Sequence, residues 1–168
     1  MRSSRAGERL ALIPGLRLYG DVDPARASKR LGVIAFNIEG LHHALVAAVL
    51  STEYGIGVRN GCFCAHPYLM RLLGLDAEEV QCLRARMAAG DRSAVPGMVR
   101  VSFGIYNSTD DIDALADALV AIARGAMRGD YAQDRASGEF EARGWSPDPR
   151  AHFTPAARHN AASLRPAR

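Results

Sequence analysis

The sequence predicts an α+β fold in which a small, mostly antiparallel sheet is covered by helices. Three observations carry this. The elements run strand, strand, helix, strand, two helices, strand, helix, without regular alternation of strand and helix. Residues 97–107, "GMVRVSFGIYN", alternate as a strand does, with Val99, Val101, Phe103 and Ile105 on one face. Arg100, Ser102, Gly104 and Tyr106 share the other face. Finally, residues 108–125 read as a capped amphipathic helix: Ser108 and Asp111 are spaced as a capping box, and Ile112, Leu115, Leu119 and Ile122 form a stripe.

Taken from the N-terminus, residues 1–13 suit an amphipathic helix stopped by Pro14-Gly15, and "LRLYGD" (16–21) reads as a short strand. "DPARAS" (23–28) is a turn. "RLGVIAFNIEG" (30–40) is a second strand, whose apolar run suggests burial on both faces. Residues 41–55 form a helix, with Leu41, Leu45, Ala48 and Val49 apolar and Gly55 as its C-cap. "IGVR" (56–59) is a strand that leads into a loop. Helices over 67–73 and 76–89 follow, parted by Gly74, with Cys82 packed on the second. From about residue 130 the composition turns to Ala, Arg, Pro, Asp and Ser. Residues 1–129 therefore read as one domain and 130–168 as a disordered tail, its arginines solvated.

The bulk numbers limit the function classes. A chain of 168 residues that is 48% hydrophobic can bury a core, and no run is apolar enough for a membrane helix or a signal peptide. Three cysteines make a disulfide scaffold unexpected and a reducing cytoplasm the default. A formal charge of +3 does not argue for nucleic acid. Of 21 basic residues only Lys29 is a lysine, so a mechanism needing a lysine from this chain must use that one.

The densest chemistry lies in "GVRNGCFCAHPYL", residues 57–69. If this loop is extended, Cys62, Cys64 and His66 point the same way. A guanidinium such as Arg59 favours the thiolate of a nearby cysteine. Arg100, on the polar face of its strand, suits a carboxylate, which a planar guanidinium grips with two hydrogen bonds. The plainer readings stay open: a cysteine in a short turn is a small buried hydrophobe, and a strand arginine is the solvent-facing partner of some acid. A metal site is not expected, because Cys62, Cys64 and His66 lack a fourth ligand and Cys82 sits on a separate helix. His42 and His43 read as cap residues at a helix start.

"PGLRLYGD", "RLGVIAFNIEGLHHALVAAVL", "YGIGVRNGCFCAHPYL" and "VRVSFGIYNSTDDIDALADAL", in this order, resemble the C-terminal small domain of class V aminotransferases. These are fold-type I enzymes that use pyridoxal phosphate and include the cysteine desulfurases. The resemblance covers about residues 12–125. It implies that Cys64 stands where desulfurases keep the cysteine that attacks the substrate sulfur. It implies likewise that Arg100 binds the α-carboxylate of an amino-acid substrate and that Arg59 flanks the site. The family's large domain, with the cofactor's lysine, acid and phosphate cradle, has no counterpart here, and Lys29 lies in a turn. The resemblance thus implies the C-terminal part of an enzyme, in a truncated or split chain inactive alone, whose partner is a large domain or a homodimer mate. Covalent binding of the cofactor to this chain alone is not expected. Residues 67–97 are a longer connection than the nearest desulfurases have, which favours a broader class V relative. The other reading is a non-catalytic binding module that keeps the small-domain fold and pairs with another chain.

Overall fold

The computed structural model describes residues 2–21, 23, 26 and 31–145; Lys29 and residues 146–168 lie outside them. The elements are α1 (Arg2–Ala11), β1 (Leu16–Tyr19), β2 (Val33–Ile38), α2 (His43–Tyr54), β3 (Arg59–Gly61), α3 (His66–Leu73), α4 (Ala77–Ala88), β4 (Met98–Ser102), α5 (Thr109–Ala123), β5 (Tyr131–Gln133) and β6 (Phe140–Ala142). The order β1-β2-β4-β3 builds a four-stranded sheet in which every neighbouring pair is antiparallel. The α+β expectation is met.

Alternation sorts the sheet into two faces. Ile34, Phe36 and Ile38 of β2 and Val99 and Val101 of β4 are buried against Leu10 of α1, Val46, Val49 and Leu50 of α2, and the α5 stripe Ile112, Leu115, Leu119 and Ile122. Ser108 caps α5, accepting from the Asp111 N–H at 3.3 Å while Asp111 accepts from the Ser108 N–H at 2.7 Å. On the opposite face, Tyr19, Ala35, Arg100 and Arg59 are successive register partners and form one row across all four strands. That face is only partly covered, by α3, whose Leu69 packs with Cys62 and Met98 in a satellite cluster. Burial of β2 on both faces is therefore incomplete: Val33 is exposed, and Ala35 and Asn37 are half-buried.

Several expectations need correcting. β3 begins at Arg59, later than expected, and β4 ends at Ser102, which leaves Ile105 exposed instead of on the core face. Cys82 is exposed and α4 buries no residue fully: Val80, Leu83 and Met87 are half-buried, Asp76 and Glu79 form a capping box, and Arg86 pairs with Asp91. The expected tail boundary near residue 130 also changes, because β5 and β6 pair as a hairpin. Glu53 of α2 fastens its root: the carboxylate accepts from the Arg128 and Gly129 N–H groups and from the Tyr131 hydroxyl, all within 3.1 Å. Polar anchoring of this kind needs little apolar area, so composition does not reveal it.

Candidate functional site

The loop after β3 is not extended. Phe63 and Cys64 both have positive φ, 52° and 59°, and the Ala65 N–H donates to the Cys62 carbonyl at 2.8 Å. Two consecutive left-handed residues reverse the chain in a tight turn, a conformation that side chains other than glycine adopt only at a cost. Its consequence is that Cys62 and Cys64 are set in opposite environments. Cys62 is buried, its Sγ donates to the Pro96 carbonyl at 3.1 Å, and burial pushes its thiol pKa up. Cys64 is exposed. The expectation that Cys62, Cys64 and His66 point the same way fails for this reason. Of the two thiols, Cys64 is the one available for reaction.

Arg59 and Arg100 stand directly opposite each other in the β3–β4 register, and so on the same face. Like charges in that position repel unless an anion or a desolvated partner offsets them. The guanidinium of Arg100 lies over the Phe63 ring, 4.8 Å from its centroid. Its Nε is buried and has no hydrogen-bond partner among the described residues. A buried, unsatisfied donor on a charged group is costly to leave unmade, and a carboxylate is the partner it best suits. The turn thus puts an aromatic contact to the arginine and an exposed thiol on adjacent residues. Phe63 orients the arginine, and the next residue presents the thiol.

A groove of about 220 Å³ runs past Cys64 and is also lined by His42, His43, Asn60, Arg92 and Glu139. His42 caps α2, its Nδ1 accepting from the Ala44 N–H at 3.2 Å. Its pKa is lowered, first by burial and then by the neighbouring His43. The His43 ring is held between Asn60 Oδ1 at 3.1 Å and the Val95 carbonyl at 3.0 Å. Gly97 permits this: a Cβ there would lie 2.6 Å from His43 Nε2 and 2.7 Å from the Gly61 Cα. Sequence reasoning placed Cys64, Arg59 and Arg100 in one site. The fold sets Arg59 and Arg100 opposite each other in the β3–β4 register and lays Phe63 against Arg100, while Cys64 lines a groove that neither arginine lines. Sequence reasoning missed Phe63, Asn60 and Glu139. Phe63 carried no signal because its role depends on a positive φ, and Glu139 lies in the stretch read as tail.

The described residues contain no lysine, so none of them can bind the aldehyde of pyridoxal phosphate covalently. Among the described residues no helix is long and apolar enough to cross a membrane.

Comparison with known proteins adds an independent line. The family described as aminotransferase class-V matches residues 2–115. A cysteine desulfurase of Cronobacter sakazakii is 36% identical over 115 residues, 68% of this chain and 21% of that protein. One of Salmonella typhimurium is 38% identical over 117 residues, 70% of this chain and 22% of that protein. Among solved structures, the apo cysteine desulfurase of Thermococcus onnurineus aligns with a TM-score of 0.50 and 28% identity, covering 74% of this chain and 24% of that one. The Escherichia coli cysteine desulfurase CsdA in its S-sulfonic acid form aligns at 0.50 and 29%, covering 75% and 25%. The chain spans about a fifth of the length of the curated relatives it matches.

Proposed function

The chain belongs to the aminotransferase class-V family, and from that premise we propose that it supplies the substrate-gripping and thiol-bearing part of a pyridoxal-phosphate enzyme acting on an amino acid. It corresponds to the C-terminal small domain of such an enzyme, with the cofactor held by polypeptide outside the described residues. The observation that carries this is the buried, unpartnered Nε of Arg100, set over Phe63 and across the strand pair from Arg59.

Arg100 takes the α-carboxylate, and Arg59 adds positive charge at the exposed side of the same row. Together they fix one end of the substrate. The bound cofactor supplies the electron sink that loosens bonds at the amino acid's α and β carbons. Cys64, one residue beyond Phe63, is the thiol positioned to receive sulfur where the substrate is cysteine. The reading favours sulfur transfer over amine transfer because Cys64 is exposed while Cys62 is buried and bonded.

The test uses this chain combined with the cofactor-binding part of a class V relative. Arg100→Ala is expected to raise KM for the amino acid by roughly tenfold to a hundredfold, the loss of a charge-assisted hydrogen bond worth about 1.5–3 kcal/mol. Arg100→Lys recovers part of it. An unchanged KM in Arg100→Ala would remove the carboxylate role.

A further inference from the structure

The β5–β6 hairpin lies beyond residues 2–115 that match the family model, yet Ser137, Gly138 and Glu139 of its turn line the same groove as Cys64. It is held from three sides. Glu53 anchors its root, as described above. Gln133 Nε2 donates to the Ser93 carbonyl at 2.9 Å, and the Arg92 N–H donates to the Arg135 carbonyl at 2.8 Å. Arg135 also pairs with Asp91 at 2.8 Å. The Asp134 carboxylate accepts from the Ala136 and Ser137 N–H groups, which stiffens the turn between the strands. Gly138 is buried so tightly that a Cβ on it would stand 2.7 Å from the Arg92 carbonyl. The hairpin is therefore a fixed wall of the groove.

What it brings to the groove is a charge. Of the groove-lining residues, Glu139 carries the one carboxylate, facing Arg92 and the imidazoles of His42, His43 and His66. Its Oε2 accepts from Asn60 Nδ2 at 3.2 Å, and Asn60 Oδ1 in turn contacts His43 Nδ1. Arg59 and Arg100, which handle the substrate's carboxylate, belong instead to the sheet row.

We propose that Glu139, exposed on the groove wall, is a specificity-determining residue: it offsets the charge of Arg92, so that the groove beside Cys64 does not draw anions and the sulfur acceptor approaching this thiol is neutral or cationic around its reactive atom. This deepens the proposed function and rests on Cys64 being its reacting thiol. The substrate carboxylate and the acceptor are then sorted by charge onto two sides of one turn.

The experiment reads thiol access and needs no turnover. The full 168-residue chain is treated with three methanethiosulfonates, one cationic, one neutral and one anionic. In each case the thiolate attacks the reagent's sulfur and expels methanesulfinate. Peptide mapping separates Cys64 from Cys82, which is exposed on α4 and serves as the internal control. Glu139→Gln, whose amide oxygen can still accept from Asn60, is expected to raise the anionic-to-cationic rate ratio at Cys64 about threefold at low salt. The shift fades at high salt, and Glu139→Lys raises the ratio further. The ratio at Cys82 stays constant. A change below about 1.5-fold in both variants, with melting temperatures unaltered, overturns the proposal. So does an equal change at Cys82. A chain that shows the ratio shift but never supports sulfur release when combined with a cofactor-binding part loses the proposed function while the charge selection stands.

Discussion

Replacing Cys64 by glycine is expected to stabilise the protein more than replacing it by alanine, the reverse of the usual order. Cys64 sits at φ 59°, immediately after Phe63 at 52°. A left-handed backbone costs a residue with a Cβ about 1–2 kcal/mol. Glycine escapes that cost but gives back about 0.4–1 kcal/mol through the greater freedom of its unfolded chain. The thiol is exposed, so its removal alone changes stability by no more than about 0.5 kcal/mol. The balance favours glycine over alanine by about 0.5–1 kcal/mol, or roughly 2 °C in melting temperature for a chain of this size. Thermal and urea unfolding of the two variants, both chemically dead at this position, measure the difference directly. An alanine variant more stable than the glycine variant would refute the left-handed turn, and with it the account of why Cys64 is exposed while Cys62 is buried. The strain is also informative about function. Phe63 and Cys64 hold a costly conformation that places a ring under Arg100 and a thiol beside it, which is where strain is expected to persist.

Four further outcomes follow from the same geometry. Glu53→Ala is expected to cost about 1–3 kcal/mol and to open the hairpin to trypsin at Arg128, whereas in the unaltered protein the protected core extends past it. Burial works to raise the Glu53 pKa, but its hydrogen bonds from Gly129, Arg128 and Tyr131 outweigh that and hold it below the usual value. This contribution is thus fully present above the ordinary glutamate range and is lost as pH falls through the lowered folded value; a Glu53→Gln variant whose deficit does not shrink in acid would contradict it. Iodoacetamide is expected to modify Cys64 and Cys82 well before Cys62, whose thiol pKa burial raises, and early labelling of Cys62 would show that the turn opens. Gly97→Ala is expected to destabilise by about 1–3 kcal/mol, since its Cβ meets both His43 and the Gly61 backbone, and an unaffected melting temperature would mean that this contact is loose.

Local signals explain what was legible in the chain. The α5 helix could be read because its cap and its stripe lie within one continuous segment, and β2 and β4 because their alternation is set by burial on the core face. The same periodicity put Arg100 on the opposite face, which is enough to suggest its role but not to show Phe63 beneath it. Composition does not decide whether residues 62–65 run extended or turn, because positive φ at phenylalanine and cysteine leaves no compositional mark. The hairpin escaped because its strands are three residues each and its anchors are single polar side chains from distant positions, Glu53 and Ser93 among them. Asn60 and Glu139 are joined only by that tertiary arrangement. Cys82 shows the opposite failure: the apolar pattern on α4 suggested packing, but the half-buried side of that helix carries Val80, Leu83 and Met87 and leaves Cys82 exposed.

The central claim is that Cys64 and Arg100 act together on an amino acid once cofactor chemistry is supplied. The most direct measurement mixes the 168-residue chain with the complementary, cofactor-binding part of a class V relative and L-cysteine, maps persulfide on the Cys64 peptide without reductant, and measures the sulfide released once a dithiol, itself oxidised to a disulfide, reduces that persulfide. Turnover is expected in the mixture and none from either polypeptide alone, with persulfide on Cys64, none on Cys62, and loss of release in Cys64→Ala. Full turnover by this chain alone, or persulfide confined to another cysteine, would contradict it. A mixture that associates but never turns over would point instead to a non-catalytic binding module.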